Sequence, residues 1–292
     1  MNIYYGTSRK NVNVTEFCDT QLKKNQVITI PSGDRNRANY FTDPAENFSK
    51  SIFIESKDGV SEYDEHYTIQ IDCLTGKITA EPDEFIKLLK IHSTLQLKYG
   101  SLQEEFSEQK MAVKYLKGTE KVLEIGGNIG RNSCVIGRVL NHSDFVSMEC
   151  DPNSAQQLKE NRDLNGLHFH VENAALSKRK LIQRGWDTIP SDTVLEGYSS
   201  VHTITFEELK QKYNIQFDTL VLDCEGAFYY ILLDMPEILD NIQLIVMEND
   251  YHDFNHKLVL NSILREKGFE VDYSEAGGWG PCASHFFEVW KR

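Results

Sequence analysis

From Lys121 onward, short apolar runs alternate with amphipathic stretches. KVLEI (121–125), DFVSMEC (144–150), LHFHV (167–171), FDTLVLD (217–223) and IQLIVME (242–248) read as five buried strands. Local signals mark the helices between them. A glycine turn precedes a helix through Leu140, and Asp151-Pro152 opens another that Asn165-Gly166 closes. Thr205-x-x-Glu208 caps a short helix, and a helix over 255–267 stops at Gly268. FEVDYS and SHFFEVW flank a glycine-rich turn and form a last hairpin. Strand and helix alternating at this spacing predict an α/β fold. It is a doubly wound, mostly parallel seven-stranded sheet with a terminal antiparallel hairpin.

The first hundred residues follow a different pattern. The polar stretch 31–48, rich in Gly, Pro and Asn, predicts a loop. SIFIES (51–56), a Lys57-Asp58-Gly59 turn and HYTIQID (66–72) predict a β-hairpin, after which Thr75-Gly76 turns into a KITA strand. Pro82 opens a helix, and Ser101-x-x-Glu104 reads as the capping box of a second one. The expected organisation is a smaller α+β N-terminal region over 1–100 and the sheet domain over 101–292.

Composition narrows the class. Of 292 residues, 40% are hydrophobic and 26% charged, which excludes a disordered chain. Lys and Arg number 31 against 44 Asp and Glu, a net charge of −13 that repels polyanions. Nucleic acid and anionic membranes are therefore poor partners. None of the six cysteines forms a C-x-x-C pair, so buried free thiols in a reducing compartment are expected. The N-terminus shows no apolar h-region and no run reaches a membrane-spanning length, which points to a cytoplasmic protein.

Two motifs carry chemistry. In VLEIGGNIG (122–130), a buried strand delivers Glu124 into a turn of Gly126, Gly127, Asn128 and Gly130 that opens a helix. Glycines let a backbone approach a ligand, and the helix start offers free N–H groups. Asn128 stands where a dinucleotide fingerprint needs its second glycine, and Glu124 suits a cationic amino group better than a pyrophosphate. Both favour S-adenosylmethionine over NAD. Glu149 ends the next strand, where a carboxylate accepts ribose hydroxyls; Asn173-Ala174 follow strand three, where an adenine lies. In LVLDCEGAF (220–228), Asp223 and Glu225 reach the carboxyl edge of the sheet and converge if the strand persists to Glu225. His252, past strand five, is the side chain best matched as a neutral base near pH 7. There is no zinc spacing, no G-x-S-x-G and no P-loop. The basic cluster of SKRKLIQR reads as a solvated turn and strand.

These segments, in order from about 103 to 248, resemble the FkbM family of S-adenosylmethionine-dependent O-methyltransferases, whose class I sheet requires the terminal hairpin. The resemblance implies that Glu124, Gly126, Asn128 and Gly130 hold the methionine end, Glu149 the ribose and Asn173-Ala174 the adenine neighbourhood. Asp223 then lies beside the sulfonium. Three positions depart from the family pattern. Glu124 stands for Asp, Phe228 for an acid, and Asp250 for a histidine.

The expected activity is methyl transfer to a hydroxyl of a sugar or glycosylated small molecule. Asp223, Glu225 and His252 are the catalytic candidates, and a divalent cation on the carboxylates is the alternative to a base. A non-catalytic donor-binding scaffold, an NAD-dependent oxidoreductase and an RNA methylase are the rivals. The N-terminal region offers an acceptor lid, a partner surface or an arm for a homo-oligomer.

Overall fold

The computed structural model describes residues 1–185 and 187–292. Chain contacts divide it into Met1–Lys90 and Ile91–Arg292. The expected border lay after residue 100. Residues 91–100 go with the sheet because Gln96 and Lys98 donate backbone N–H groups to the side chains of Asn165 and Asn161, at 2.8 and 2.7 Å.

Met1–Lys90 holds two four-stranded antiparallel sheets. One runs Asn11–Asn13, Asn2–Gly6, Ser51–Ser56, Gly59–Tyr63; the other Lys23–Lys24, Val27–Ile30, Tyr67–Asp72, Ile78–Pro82. Alternate residues of four strands enter one core: Ile3 and Tyr5, Ile28 and Ile30, Ile52 and Ile54, Ile69 and Ile71. Period-two burial of this kind fixes the register of each strand. The hairpin expected between 51–56 and 66–72 is corrected. Ser51–Ser56 pairs with Gly59–Tyr63, while Tyr67–Asp72 joins the other sheet beside Ile78–Pro82. The loop expected over 31–48 contains a helix, Asp34–Phe41. Arg37 anchors it. Its guanidinium, fully buried, donates to the carbonyls of Pro31, Asp64 and Tyr67 at 2.9, 2.7 and 2.6 Å.

In Ile91–Arg292 the strands of the seven-stranded sheet are β1 (Val122–Ile125), β2 (Phe145–Met148), β3 (His170–Glu172), β4 (Thr219–Leu222), β5 (Leu244–Glu248), β6 (Glu270–Glu275) and β7 (Phe287–Lys291). Their order is β3-β2-β1-β4-β5-β7-β6. The first five are parallel, and β7 runs antiparallel between β5 and β6. The expected doubly wound sheet and terminal hairpin are thus present. Every residue of β1, β2 and β4 is buried, which is why each reads as mostly apolar without in–out alternation, Glu124 and Ser147 being the buried polar members of β1 and β2. The helices are α1 (Phe106–Tyr115), α2 (Arg131–Leu140), α3 (Pro152–Leu164), α4 (Phe206–Tyr213), α5 (Ala227–Asp234) and α6 (Phe254–Glu266). Asp151 caps α3 by accepting the N–H of Ser154, and Thr205 with Glu208 closes both bonds of the capping box of α4. The box expected at Ser101 is only half made. Glu104 accepts the Ser101 N–H, but the Ser101 hydroxyl takes the N–H of Gln103, so a turn forms and α1 starts later.

Between β3 and α4 the chain makes an excursion that the sequence pattern barely marks. Ala175–Leu176 pairs in parallel with Thr203–Ile204, and the chain between folds into the antiparallel strands Leu181–Arg184, Asp187–Pro190 and Ser199–Val201. Among the described residues, no helix is long and apolar enough to cross a membrane.

Candidate active site

The sheet reverses its strand order between β1 and β4, the crevice where open α/β folds bind ligands. Register aligns Ile125 with Leu222, so the turn after β1 meets the end of β4. The Asp223 N–H donates to the Ile125 carbonyl at 3.1 Å. Gly126 has φ +94°, and a Cβ there would lie 1.5 Å from the Asp223 carbonyl oxygen. Only glycine satisfies both constraints. Gly126 and Gly127 both donate to the carbonyl of Met148, at 3.0 and 2.8 Å. Asn128, at φ +46°, directs its N–H to Glu149 Oε2 at 2.8 Å. Gly130, also left-handed, precedes α2 and donates to the Gly127 carbonyl.

A cavity of about 550 Å³ opens over this edge. Gly126, Asn128 and Glu149 line one side of it; Asp223, Glu225 and Glu248 line another. Ala174, Ala175 and Leu176 give an apolar wall. The excursion adds Leu181, Gln183, Thr188, Ile189 and Pro190. Among the described residues, seven carboxylates line it (Glu105, Glu108, Glu149, Asp223, Glu225, Asp234 and Glu248) against one cation, Arg179. That guanidinium is already held by Asp234, at 2.6 and 2.8 Å.

The side chains expected from sequence separate into three groups. Gly126, Asn128, Glu149, Ala174, Asp223 and Glu225 line the cavity. Glu124, Gly130 and Asn173 do not, and they act from behind it. Glu124 is 2% exposed, taking the Ser133 hydroxyl at 2.5 Å and the Asn132 amide at 3.4 Å. Its carboxyl is pushed up to about 7 by burial. Asn173 donates its amide to the carbonyls of Glu149 and Cys150 at 2.8 and 3.2 Å, holding the loop that carries Glu149. Glu149 itself accepts the N–H groups of Asn128 and Asp151, and burial raises its carboxyl above the ordinary value.

His252 is not among the described residues that line the cavity; it is exposed and packs against Trp279, ring centroids 4.6 Å apart. The convergence expected of Asp223 and Glu225 along one strand is corrected. β4 ends at Leu222 and Glu225 takes a left-handed turn conformation at φ +51°. Asp223 converges instead with Glu248, because Leu222 aligns with Met247 on β5. The two carboxyls share a hydrogen bond, and burial above all holds both well above the ordinary carboxylate range, helped at Asp223 by the charges of Glu105, Asp250 and Glu108 and at Glu248 by that of Asp223. Asp250 follows, 3% exposed; its Oδ1 accepts the Gly226 N–H at 2.8 Å and burial pushes it up to about 6. Glu105 and Glu108, from the start of α1, complete the acid group and were not found in the sequence. On a helix with a polar face they resemble any solvated pair.

Strand order β3-β2-β1-β4-β5-β7-β6 with β7 reversed is the class I methyltransferase fold. No family model matches the chain, and no curated protein matches it. Solved structures are similar in fold. An O-methyltransferase from Bacillus cereus in complex with SAH is 16% identical over 72% of this chain and 90% of its own, at a TM-score of 0.38. Aeropyrum pernix fibrillarin with natively bound S-adenosyl-L-methionine is 8% identical over 78% and 94%, at 0.41. A ribosomal protein methylase from Lactobacillus delbrueckii subsp. bulgaricus is 16% identical over 68% and 83%, at 0.41.

Proposed function

We propose that this protein transfers the methyl group of S-adenosylmethionine to a hydroxyl oxygen of a small molecule, a sugar or glycosylated compound. The observation that carries this reading is one cavity that joins the glycine turn and Glu149 to the carboxylates at the ends of β4 and β5. Its volume of about 550 Å³ falls within the ~300–1,000 Å³ of small-molecule sites. The residues fit the donor. Gly126 and Asn128 bring backbone to the methionine end. Each oxygen of Glu149 takes one N–H and keeps a lone pair for a ribose hydroxyl. Ala174 and Leu176 offer an apolar wall to the adenine. The excess of carboxylates over cations favours a positively charged donor and disfavours anionic acceptors.

The donor supplies a methyl group activated by a cationic sulfur. The chain's part is to hold the acceptor oxygen in line with it, worth ~7–11 kcal/mol when alignment is good. It also receives the hydroxyl proton, for which Glu225 and the Asp223–Glu248 pair are the cavity's carboxylates nearest the end of β4. Calorimetric titration with S-adenosylmethionine and S-adenosylhomocysteine tests the reading, with Glu149→Ala as the variant. Saturable binding that the variant weakens at least tenfold is expected. Absence of heat with both ligands would end the proposal. Binding without methyl transfer to any hydroxylated acceptor would leave a donor-binding scaffold.

A further inference from the structure

The proposed donor occupies part of the cavity, its methionine end, ribose and adenine taking the glycine turn, Glu149 and the wall of Ala174 and Leu176. A further stretch of wall runs along α5. Ala227, Tyr230, Ile231 and Asp234 line it, at the i, i+3, i+4, i+7 spacing that puts side chains on one helix face. α5 begins directly after Glu225 and Gly226. This face therefore leads away from the carboxylates for about 10 Å, at ~1.5 Å per residue.

The excursion adds one face of its antiparallel sheet. Leu181 stands across from Pro190 and Gln183 across from Thr188; residues paired in this way, two apart on each strand, share a face. All four line the cavity. That face is divided in character. Gln183 and Thr188 offer an amide and a hydroxyl, whereas Leu181 and Pro190 are apolar, like the buried Ile231 and Met235 that line the cavity with them.

Charge at the far end of α5 is neutralised within the wall. Asp234 takes the Arg179 guanidinium by two bonds, at 2.6 and 2.8 Å, and the same guanidinium lies 5.4 Å from the centroid of the Tyr230 ring. An ion pair closed on itself offers a ligand no net charge. Tyr230 lines the cavity and is 44% exposed, so its ring is available for contact. A free sugar has no apolar group for such a wall, and hydroxyls set against Leu181 and Ile231 lose their bonds to water. A glycoside matches both parts. Its hydroxyls suit the carboxylates, Gln183 and Thr188, and its aglycone suits the face of α5.

We infer that the acceptor is a glycoside with an uncharged apolar aglycone, selected by Leu181, Pro190, Tyr230 and Ile231, which line the place of that aglycone along α5. The role as acceptor rests on the proposed methyl transfer; the apolar site itself does not.

Displacement of the neutral fluorophore N-phenyl-1-naphthylamine by hexyl and methyl β-D-glucoside, in full-length protein saturated with S-adenosylhomocysteine, tests this. Saturable fluorophore binding is expected, with hexyl glucoside displacing it at least tenfold more effectively than methyl glucoside. Leu181→Asp should weaken fluorophore binding at least tenfold and leave nucleoside affinity within threefold. Pro190→Asp, at an exposed position, serves if Leu181→Asp does not fold, circular dichroism deciding that. No fluorophore bound with the nucleoside in place, equal displacement by the two glucosides, or variants that bind the fluorophore as the parent does would overturn the inference. Nucleoside affinity that falls together with fluorophore affinity would give this wall to the donor and overturn it as well. Methyl transfer from S-adenosylmethionine to hexyl hexosides should exceed that to the free hexoses at least tenfold in kcat/KM, and equal values would count against the inference. Fluorophore binding without nucleoside binding retains the apolar site and removes the methyltransferase reading, and the reverse removes the apolar site alone.

Discussion

Gly126 admits no side chain. Alanine there would combine a strained left-handed backbone with a Cβ inside the Asp223 carbonyl. Gly126→Ala is expected to cost about 2–4 kcal/mol, read by urea unfolding, with nucleoside affinity falling alongside. Glu124 gives a pH signature. Burial lifts its carboxyl from 4.5 to about 7 in the folded state. Its folded pKa lies above the unfolded one, so its contribution is intact below pH 4.5 and is lost as pH climbs through 7. The loss is on the order of 3 kcal/mol. Glu124→Gln should therefore flatten the fall in melting temperature between pH 5 and 8, and an unchanged slope would refute the assignment. At this scale the sequence revealed residues at strand ends, such as Glu149 and Asp223, because a strand's last position is fixed relative to the sheet edge. It did not reveal which way a loop residue turns. His252 sits beside Trp279, whereas Asp250, two residues earlier, enters the acid group.

Elements were legible where local chemistry decides them. Thr205 and Glu208 cap α4 reciprocally, as their spacing predicts. Thr205→Ala should destabilise the protein by about 1 kcal/mol in chemical denaturation and leave nucleoside binding unchanged. The central strands announced themselves because both their faces are buried. Gly59–Tyr63 did not, since it is exposed along most of its length and carries no alternation to separate it from a loop. The helix Asp34–Phe41 escaped for a related reason. Its composition is polar, and its anchor is an arginine bonded to carbonyls distant in the chain, a pairing no local window contains.

On the scale of the whole molecule, every residue of the cavity wall belongs to Ile91–Arg292. That segment expressed alone should bind S-adenosylhomocysteine within threefold of the full chain by calorimetry. The net charge of −13 acquires a location as well, since carboxylates crowd the cavity that the proposed acceptor enters. A phosphorylated sugar should be methylated at least tenfold less efficiently than its neutral counterpart, measured as kcat/KM.

The junction of Gly126 with Asp223 bears on how this protein can diversify. The glycine turn and the Asp223 backbone are joined N–H to carbonyl, and no side-chain rotamer alters the spacing of those two backbones. The excursion between β3 and α4 lines the same cavity with Leu181, Gln183, Thr188 and Ile189, and adds these side chains away from that junction. In the proposed reaction, the turn that meets the donor and the side chains that meet the acceptor thus belong to separate segments of the chain. Libraries built on those four positions are expected to change which molecule enters and to leave donor affinity within threefold.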